Sequence, residues 1–382
     1  MGYAENYLPK ALARLGHEVH LVASNAQPYF NYSIYSTSYE PFIGPGIVPC
    51  EVKELDGYTL HRLPLHMWNG QLRIRGLLTT LVALDPQLVQ TFAIPSLSTY
   101  EAAFGKALLH YKLFLESHIH ASVFPFAGRK LKAKDSLRLM PEMILGRLVS
   151  LQSEKCYPIS IDAAEVAIRY YGIEPHKISV CPLGVDTELF RPPSDKPSQN
   201  ERARLRERLG FGPSDVVCIY TGRFSREKNP LLLAQAIAIV RKDNKSFHGL
   251  FVGDGPQAEA IRASKGCVVH PFVAAAELPS FYWAADIGIW PRQESTSQLD
   301  AAACGLPIII SNRVRASERV EGNGLTYQED NQQDLARQLD ALFDSSTRAK
   351  LGKTGAKKMR ENYSWFHIAE NRVRDYELSL PR

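Results

Sequence analysis

No uninterrupted apolar run in this chain reaches the ~18 residues needed to cross a bilayer, and no cationic segment followed by an apolar one opens it as a secretory signal would. Charge of one sign is scarce too: 45 Lys and Arg against 40 Asp and Glu leave a formal net charge of +5. A surplus that small argues against nucleic acid as a partner. It fits scattered solvated side chains, an anionic substrate or an anionic lipid surface. Cysteine is sparse. Cys50, Cys156, Cys181, Cys218, Cys267 and Cys304 form no Cys-x-x-Cys pair, and most sit in apolar runs. Buried thiols in a reduced, cytoplasmic protein are therefore expected. Two nucleotide signatures are also missing. Gly253-Asp-Gly-Pro256 does not make a Gly-x-Gly-x-x-Gly fingerprint, and no P-loop occurs, which weakens a dehydrogenase or kinase reading.

What is present is an ordinary globular composition over 382 residues, enough for two domains at roughly 100–200 residues each. Residues 5–15 place Leu8, Ala11, Leu12 and Leu15 at helical spacing, closed by Gly16, and 17–23 alternate as a strand. An α/β domain normally starts with a buried strand. The first strand of the N-terminal domain is therefore expected to be missing from this chain, with the true start upstream. Further strands are expected at 88–92, 111–115, 178–182, 216–220, 247–252, 267–269, 287–290 and 307–310. Helices are expected at 99–109 and at 230–241, with Pro230 in the first turn. Residues 192–204, rich in Pro, Ser, Asn and charge, read as a linker, and 332–376 as a charged helical tail. Strands alternating with helices imply parallel, doubly wound sheets that bind ligands at the carboxyl ends of their strands.

The most informative stretch runs from Pro291 to Ser311. Glu294 and Asp300 flank small polar residues, Ser295, Thr296, Ser297 and Gln298, that open a short helix ending at Gly305-Leu-Pro307. Small side chains leave backbone N–H groups uncovered at a helix start, a seat for phosphate, and Asp300 can accept hydrogen bonds from sugar hydroxyls. Upstream, Arg223 and Lys228 follow a strand end and could hold a diphosphate, with Arg226 as an alternative and a solvated loop as the plain reading. Glu294 and Asp300 could equally be an acid/base pair or a helix-start acid with a capping carboxylate. His118 and His120 follow another strand end beside Glu116. Their spacing suits a metal, but no third ligand is apparent and none is expected. Segment 129–148 interleaves Arg129, Lys130, Lys132, Lys134, Arg138 and Arg147 with Leu, Ile and Met, a pattern of either a surface helix or one lying on an anionic membrane.

Taken in order, the segments resemble the family-4 glycosyltransferases, retaining enzymes of the two-domain GT-B architecture. The resemblance rests on Gly2-Tyr-Ala-Glu-Asn-Tyr-Leu with Leu15-Gly-His-Glu-Val, on Pro182-Leu-Gly-Val-Asp-Thr-Glu-Leu-Phe190, and on Gly222-Arg-Phe-Ser-Arg-Glu-Lys228. It continues through Gly253-Asp-Gly-Pro, residues 278–285, 291–307 and Tyr363-Ser-Trp365. It implies an α/β fold of two Rossmann-like doubly wound domains, 1–182 for the acceptor and 183–363 for a nucleotide-sugar, with a final helix around 364–382 packed back on the first. It also implies that Arg223 and Lys228 bind the diphosphate, that Phe272 and Val273 hold the base, and that Ser295, Thr296, Ser297 and Gln298 offer N–H groups to sugar and phosphate. Asp300 stands where the family has a Glu for the ribose. His118, with His120 as fallback, would lie near the donor sugar, and Gly2 would be a remnant of the glycine loop over the phosphates.

One departure matters. The family's E-x7-E would put Glu at Arg292, whereas this chain offers Glu294 in an E-x5-D. The implied function is transfer of a sugar from a nucleoside-diphosphate sugar to an acceptor hydroxyl with retention, without cofactor or metal, in cell-surface polysaccharide or glycolipid synthesis. The acceptor would be a sugar or lipid-linked intermediate at the inner membrane face, with peripheral contact through 129–148 and no nucleic acid. A nucleotide-sugar epimerase of the same architecture and a non-catalytic nucleotide-sugar-binding protein are the alternatives.

Overall fold

The computed structural model describes residues 4–32, 35–68, 71–121, 124, 133–243 and 246–380. Among them the chain divides into two units, residues 4–183 with 368–380, and residues 184–367.

In the first unit the helix Ala4–Arg14 buries Leu8 and Ala11, the spacing its sequence announces. β1 (His20–Ser24), β2 (Glu51–Leu55) and β3 (Tyr58–Leu63) form a sheet in the order β1-β3-β2, with β1 and β3 parallel. β4 (Leu65–Trp68) and β5 (Gln71–Ile74) make a hairpin. β6 (Leu88–Thr91), β7 (Lys112–Ser117) and β8 (Ser153–Pro158) form a parallel sheet with β7 in the middle. β7 is buried from Leu113 to Ser117, as a central parallel strand covered on both faces must be. Helices Leu97–Leu109 and Ile161–Tyr171 begin at Ser96 and Ser160, whose side chains accept from Thr99 N and Ala163 N. From the far end of the chain, Tyr376 packs with Phe114 and Tyr157.

The strand expected at 178–182 is not formed. Ile178 makes an isolated bridge with Cys156, and Ser179 N and Cys181 N donate to Cys156 O (2.9 Å) and Pro158 O (2.8 Å). The ladder stops at Pro182, which has no N–H to give.

The second unit is one six-stranded sheet built from β9 (Val216–Thr221), β10 (Phe247–Val252), β11 (Cys267–His270), β12 (Ile287–Trp290), β13 (Ile308–Ser311) and β14 (Gly324–Tyr327). The order is β11-β10-β9-β12-β13-β14, with every pair parallel. β9, β12 and β13 are buried at every position. Progression from β9 runs outward one way to β11, then resumes at β12 and runs the other way. The order therefore reverses between β9 and β12, which is where such sheets bind ligands.

The linker expected at 192–204 is instead the start of the helix Lys196–Arg208. Asp195 caps it by accepting from Ser198 N at 2.8 Å, and Pro197 lies in the first turn. The Pro and Ser that looked like loop composition are helix-start chemistry. Arg202 and Arg206 anchor it to the carboxylate of Asp286 at 2.8 and 3.0 Å. The charged tail forms three helices, Gln332–Ala341, Ser345–Asn362 and Trp365–Ser379. All six cysteines are free thiols. Among the described residues no helix is long and apolar enough to cross a membrane.

Candidate active site

Because β9 to β14 are parallel, their carboxyl ends share one edge of the sheet, and the loops after β9, β10, β11 and β12 all leave from it. Arg223 and Lys228 lie in the first of these loops, Phe272 and Val273 in the third, and Glu294 to Thr296 in the fourth, with Ser297 and Gln298 opening the helix that follows it.

The loop after β9 is fixed through its backbone. The Tyr220 hydroxyl donates to Arg223 O at 2.9 Å. Phe224 is fully buried, with its N–H on Asp254 O at 2.8 Å and its carbonyl accepting from Gln257 N at 3.0 Å. Gly253 and Gly255 permit this approach. A Cβ on Gly253, whose φ is +150°, would lie 1.9 Å from Gly222 O, and one on Gly255 would lie 2.9 Å from Phe224 N. The Gly253-Asp-Gly-Pro256 turn thus lets two backbones touch. Arg223 is exposed, and its guanidinium donates to no described residue. Glu227, one position before Lys228, has its carboxylate held below the usual range, first by a hydrogen bond with Ser225.

The loop after β12 runs from Pro291 and holds Gln293 in the left-handed region at φ 58°. Two bonds stitch it to the loop after β9. Lys228 Nζ donates to Glu294 O at 2.8 Å, and Arg292 Nη1 donates to Arg226 O at 3.2 Å. Arg292 also pairs with Asp330. The position where the family pattern would carry Glu is thus a structural cation, and Arg226 contributes its carbonyl here. Burial pushes Lys228 down to about 8. Glu294 opposes that shift, while the charges of Arg223 and Arg319 add to it. Three cations and one carboxylate therefore share a small region, a field that favours a bound polyanion.

The four small residues of this loop do not present four equal amides. Ser297 N donates to Ser295 Oγ (3.3 Å), and Gln298 N donates to Ser295 O (3.2 Å). The N–H groups of Ser295 and Thr296 donate to no described residue. The Gln298 side chain is fully buried and turned inward, with Nε2 on Gln293 O at 3.2 Å and Oε1 accepting from Arg319. The Tyr282 hydroxyl lies 2.8 Å from Thr221 Oγ1.

Asp300 sits on the helix Ser297–Ala303 at 8 % exposure. Its carboxyl accepts no hydrogen bond from a described residue. Burial, reinforced by the negative charge of Asp186, raises it to about 8. A buried carboxyl without a hydrogen-bond donor is costly unless a ligand supplies one.

In the first unit, His118 follows β7. Its Nε2 lies 2.6 Å from the Glu116 carboxylate, which also accepts from Gln90 Nε2 (2.7 Å) and Arg372 Nη2 (3.0 Å). Arg372 stacks on the Tyr157 ring at 3.4 Å, and Phe92 meets the His118 ring edge-on. Burial raises the Glu5 carboxyl, which also feels His118 and Glu116. His120 is bonded differently, to Asp162 at 3.2 Å. Burial works against the Asp162 carboxylate, yet hydrogen bonds from His120, Ser160 and Ala121 N keep it well below the usual range. His120 thereby braces the start of the helix Ile161–Tyr171, while His118 is the ring backed by a charge network.

Gly2 lies outside the described residues, as do Arg129, Lys130 and Lys132. The rest of the basic segment belongs to the helix Ala133–Gln152. Sequence reasoning missed Arg319, Arg372, Gln90, Asp186 and Glu5. Glu5 and Asp186 lie inside the family-like segments 2–8 and 182–190 and so carried a local signal; Arg372 stands 256 residues from its carboxylate partner.

The fold is that of the GT-B glycosyltransferases. The chain superposes on sucrose-phosphate synthase from Thermosynechococcus elongatus with a TM-score of 0.66, covering 97% of this chain and 91% of that one at 18% identity. On Anabaena HepE in complex with UDP and glucose the TM-score is 0.69, covering 100% and 98% at 15% identity. Two family models match the sequence: Glycosyltransferase Family 4 over residues 7–189, and Glycosyl transferases group 1 over residues 215–345. The chain belongs to the family-4 GT-B glycosyltransferases. It is 26% identical over 250 residues to a D-inositol 3-phosphate glycosyltransferase of Rhodococcus jostii, covering 60% of this chain and 54% of that protein. It is 27% identical over 215 residues to spore coat protein SA of Bacillus subtilis, covering 51% and 57%. The chain thus spans about half the length of the curated relatives it matches.

Proposed function

We propose that this protein transfers a sugar from a nucleoside-diphosphate sugar to an acceptor hydroxyl with retention at the anomeric carbon. The observation that carries this reading is the convergence, at the reversal point of one parallel sheet, of Arg223, Lys228 and the uncommitted Ser295 and Thr296 amides, with the buried Asp300 carboxyl in the same unit. The bond from the anomeric carbon to the diphosphate oxygen breaks, and the departing diphosphate takes up the electron pair. Arg223, Lys228 and the two amides meet that growing charge, so the reading needs no metal. The acceptor hydroxyl approaches on the leaving-group face and gives its proton to the departing phosphate oxygen. Asp300 receives the ribose hydroxyls, Phe272 and Val273 flank the base, and Glu294 orients the sugar. His118, its ring set by Glu116, is proposed to bind a sugar hydroxyl. The complexes of HepE with UDP and with UDP-glucose support a donor of this kind.

For the acceptor we propose a lipid-linked or surface-polysaccharide intermediate, met by a cytoplasmic protein at the inner membrane face. The helix Ala133–Gln152 exposes Leu137, Met140, Ile144, Leu148 and Leu151 along one side, with Lys134 and Arg147 exposed beside them, a surface suited to anionic lipid. Co-sedimentation with anionic vesicles but not zwitterionic ones tests that part.

The donor reading is tested by a thermal-shift screen with UDP, GDP and ADP. A ligand at a hundredfold excess over Kd stabilises by about 2.7 kcal/mol. Stabilisation by one of the three, and sugar transfer from its nucleotide-sugar, is the expected result. No shift with any of them would remove the reading.

A further inference from the structure

Arg319 was signalled by no motif, yet among the described residues it is one of the largest fully buried side chains, at 2 % exposure. It ends the short turn Ser317–Arg319. That turn is held from behind by Lys358, whose Nζ donates to Glu318 O at 2.5 Å and, just beyond the turn, to Glu321 O at 2.9 Å and Asn323 Oδ1 at 2.7 Å. Arg319 Nη1 donates to Ser295 O (3.3 Å) and to Gln298 Oε1 (3.2 Å). Gln298 passes the constraint on, since its Nε2 donates to the carbonyl of Gln293, the residue in the left-handed conformation. One buried guanidinium therefore ties down both ends of the turn 293–298. Lys228 grips the same turn from the other side, at Glu294 O. The amides left over between these anchors are those of Ser295 and Thr296.

We infer that Arg319 is a positioning residue for the diphosphate site, shaping the turn that presents the Ser295 and Thr296 amides and adding its charge to the field around Lys228. The inference rests on the donor reading above and deepens it. The charged groups that face Lys228 are Glu294, Arg223 and Arg319, and Arg319 is one of the two cations that lower its proton affinity. On its own side Arg319 also faces the Tyr363 phenol. A neutral residue at 319 would leave Lys228 protonated to higher pH while loosening the turn. A lysine there would keep the charge but on a shorter, non-planar side chain than the guanidinium whose Nη1 reaches both acceptors.

The test measures affinity from pH 6.5 to 9 by calorimetry. The ligand is whichever of UDP, GDP and ADP shifts the wild-type melt most, and the proteins are wild type, Arg319→Met, Arg319→Lys and Gln298→Met. Arg319→Met is expected to weaken binding about tenfold at pH 7, with the alkaline loss of binding moved up by about half a pH unit or more. Arg319→Lys and Gln298→Met are expected to weaken binding several-fold with that loss unmoved. Affinity within about twofold of wild type in Arg319→Met, or weakened binding without any change in the alkaline limb, overturns the inference. If Arg319→Met does not fold, wild-type affinity in both Arg319→Lys and Gln298→Met overturns it. Failure of the wild type to bind any of the three diphosphates is visible before a variant is made, and it removes the donor reading and this inference together.

Discussion

Replacing Asp300 by Asn separates the cost of a buried acid from its use. In the folded protein the Asp300 carboxyl keeps its proton to about pH 8, whereas in an unfolded chain it ionises at about 3.9. Between those values the folded state binds more protons than the unfolded one, so rising pH destabilises the protein. The slope is at most about 1.4 kcal/mol per pH unit, and it ends once pH exceeds the folded value. From pH 5 to pH 8 the contribution sums to about 4 kcal/mol as an upper bound. Asp300→Asn has no proton to lose. Urea unfolding of both proteins at pH 5, 6, 7, 8 and 9 isolates the effect, because every other titrating group cancels in the difference. Wild type should lose stability relative to the variant through pH 8 and then run level with it. At the same time the variant should lose affinity for nucleoside diphosphates, because an amide offers one acceptor oxygen to the ribose hydroxyls where the carboxyl offers two. Stability curves that stay parallel within about 1 kcal/mol would refute the claim that Asp300 is held neutral by burial.

Lys228→Ala should lower turnover roughly 10²–10³-fold, the usual cost of removing one preorganised partner of a developing charge; near-wild-type kcat would end the diphosphate assignment. Gly253→Ala places a methyl 1.9 Å from Gly222 O at a φ of +150°. It should cost about 3 kcal/mol or more, and a melting point within about 2 °C of wild type would contradict that packing. Arg372→Met leaves Glu116 buried without its cation and should destabilise the first unit by about 3–5 kcal/mol. Its urea midpoint, read beside that of a Glu116→Gln, Arg372→Met double variant, should show the pair recovering part of the loss.

The fold was legible where burial is total. β12, buried at every position, falls on the residues expected of it, because a parallel strand covered on both faces must be apolar throughout and has no alternation to misread. Two errors arose where proline carries two meanings. At 192–204 the Asp195–Ser198 cap turned apparent linker composition into a helix, and at Pro182 an apolar run could not continue its ladder. The candidate site was legible in its loops, since Arg223, Lys228 and Glu294 to Thr296 sit at one sheet edge, joined by Lys228 and Arg292. Its interior was not. Gln298, whose N–H was expected to face a ligand, gives that N–H to Ser295 O and turns its side chain inward to Arg319, and no spacing rule joins residues 21 apart across two strand ends. Arg372 is hidden for the same reason at a far longer separation.

The first unit is not continuous in the chain. Phe114 and Tyr157 are closed over by Tyr376, and Glu116 is neutralised by Arg372, both supplied by a helix that comes after nearly all of the second unit in the chain. The first unit must therefore wait, with an apolar patch and a carboxylate uncovered, until residues 184–367 of the second have been synthesised. Deleting residues 368–380 would strand that half unfinished while leaving the other half its whole sheet.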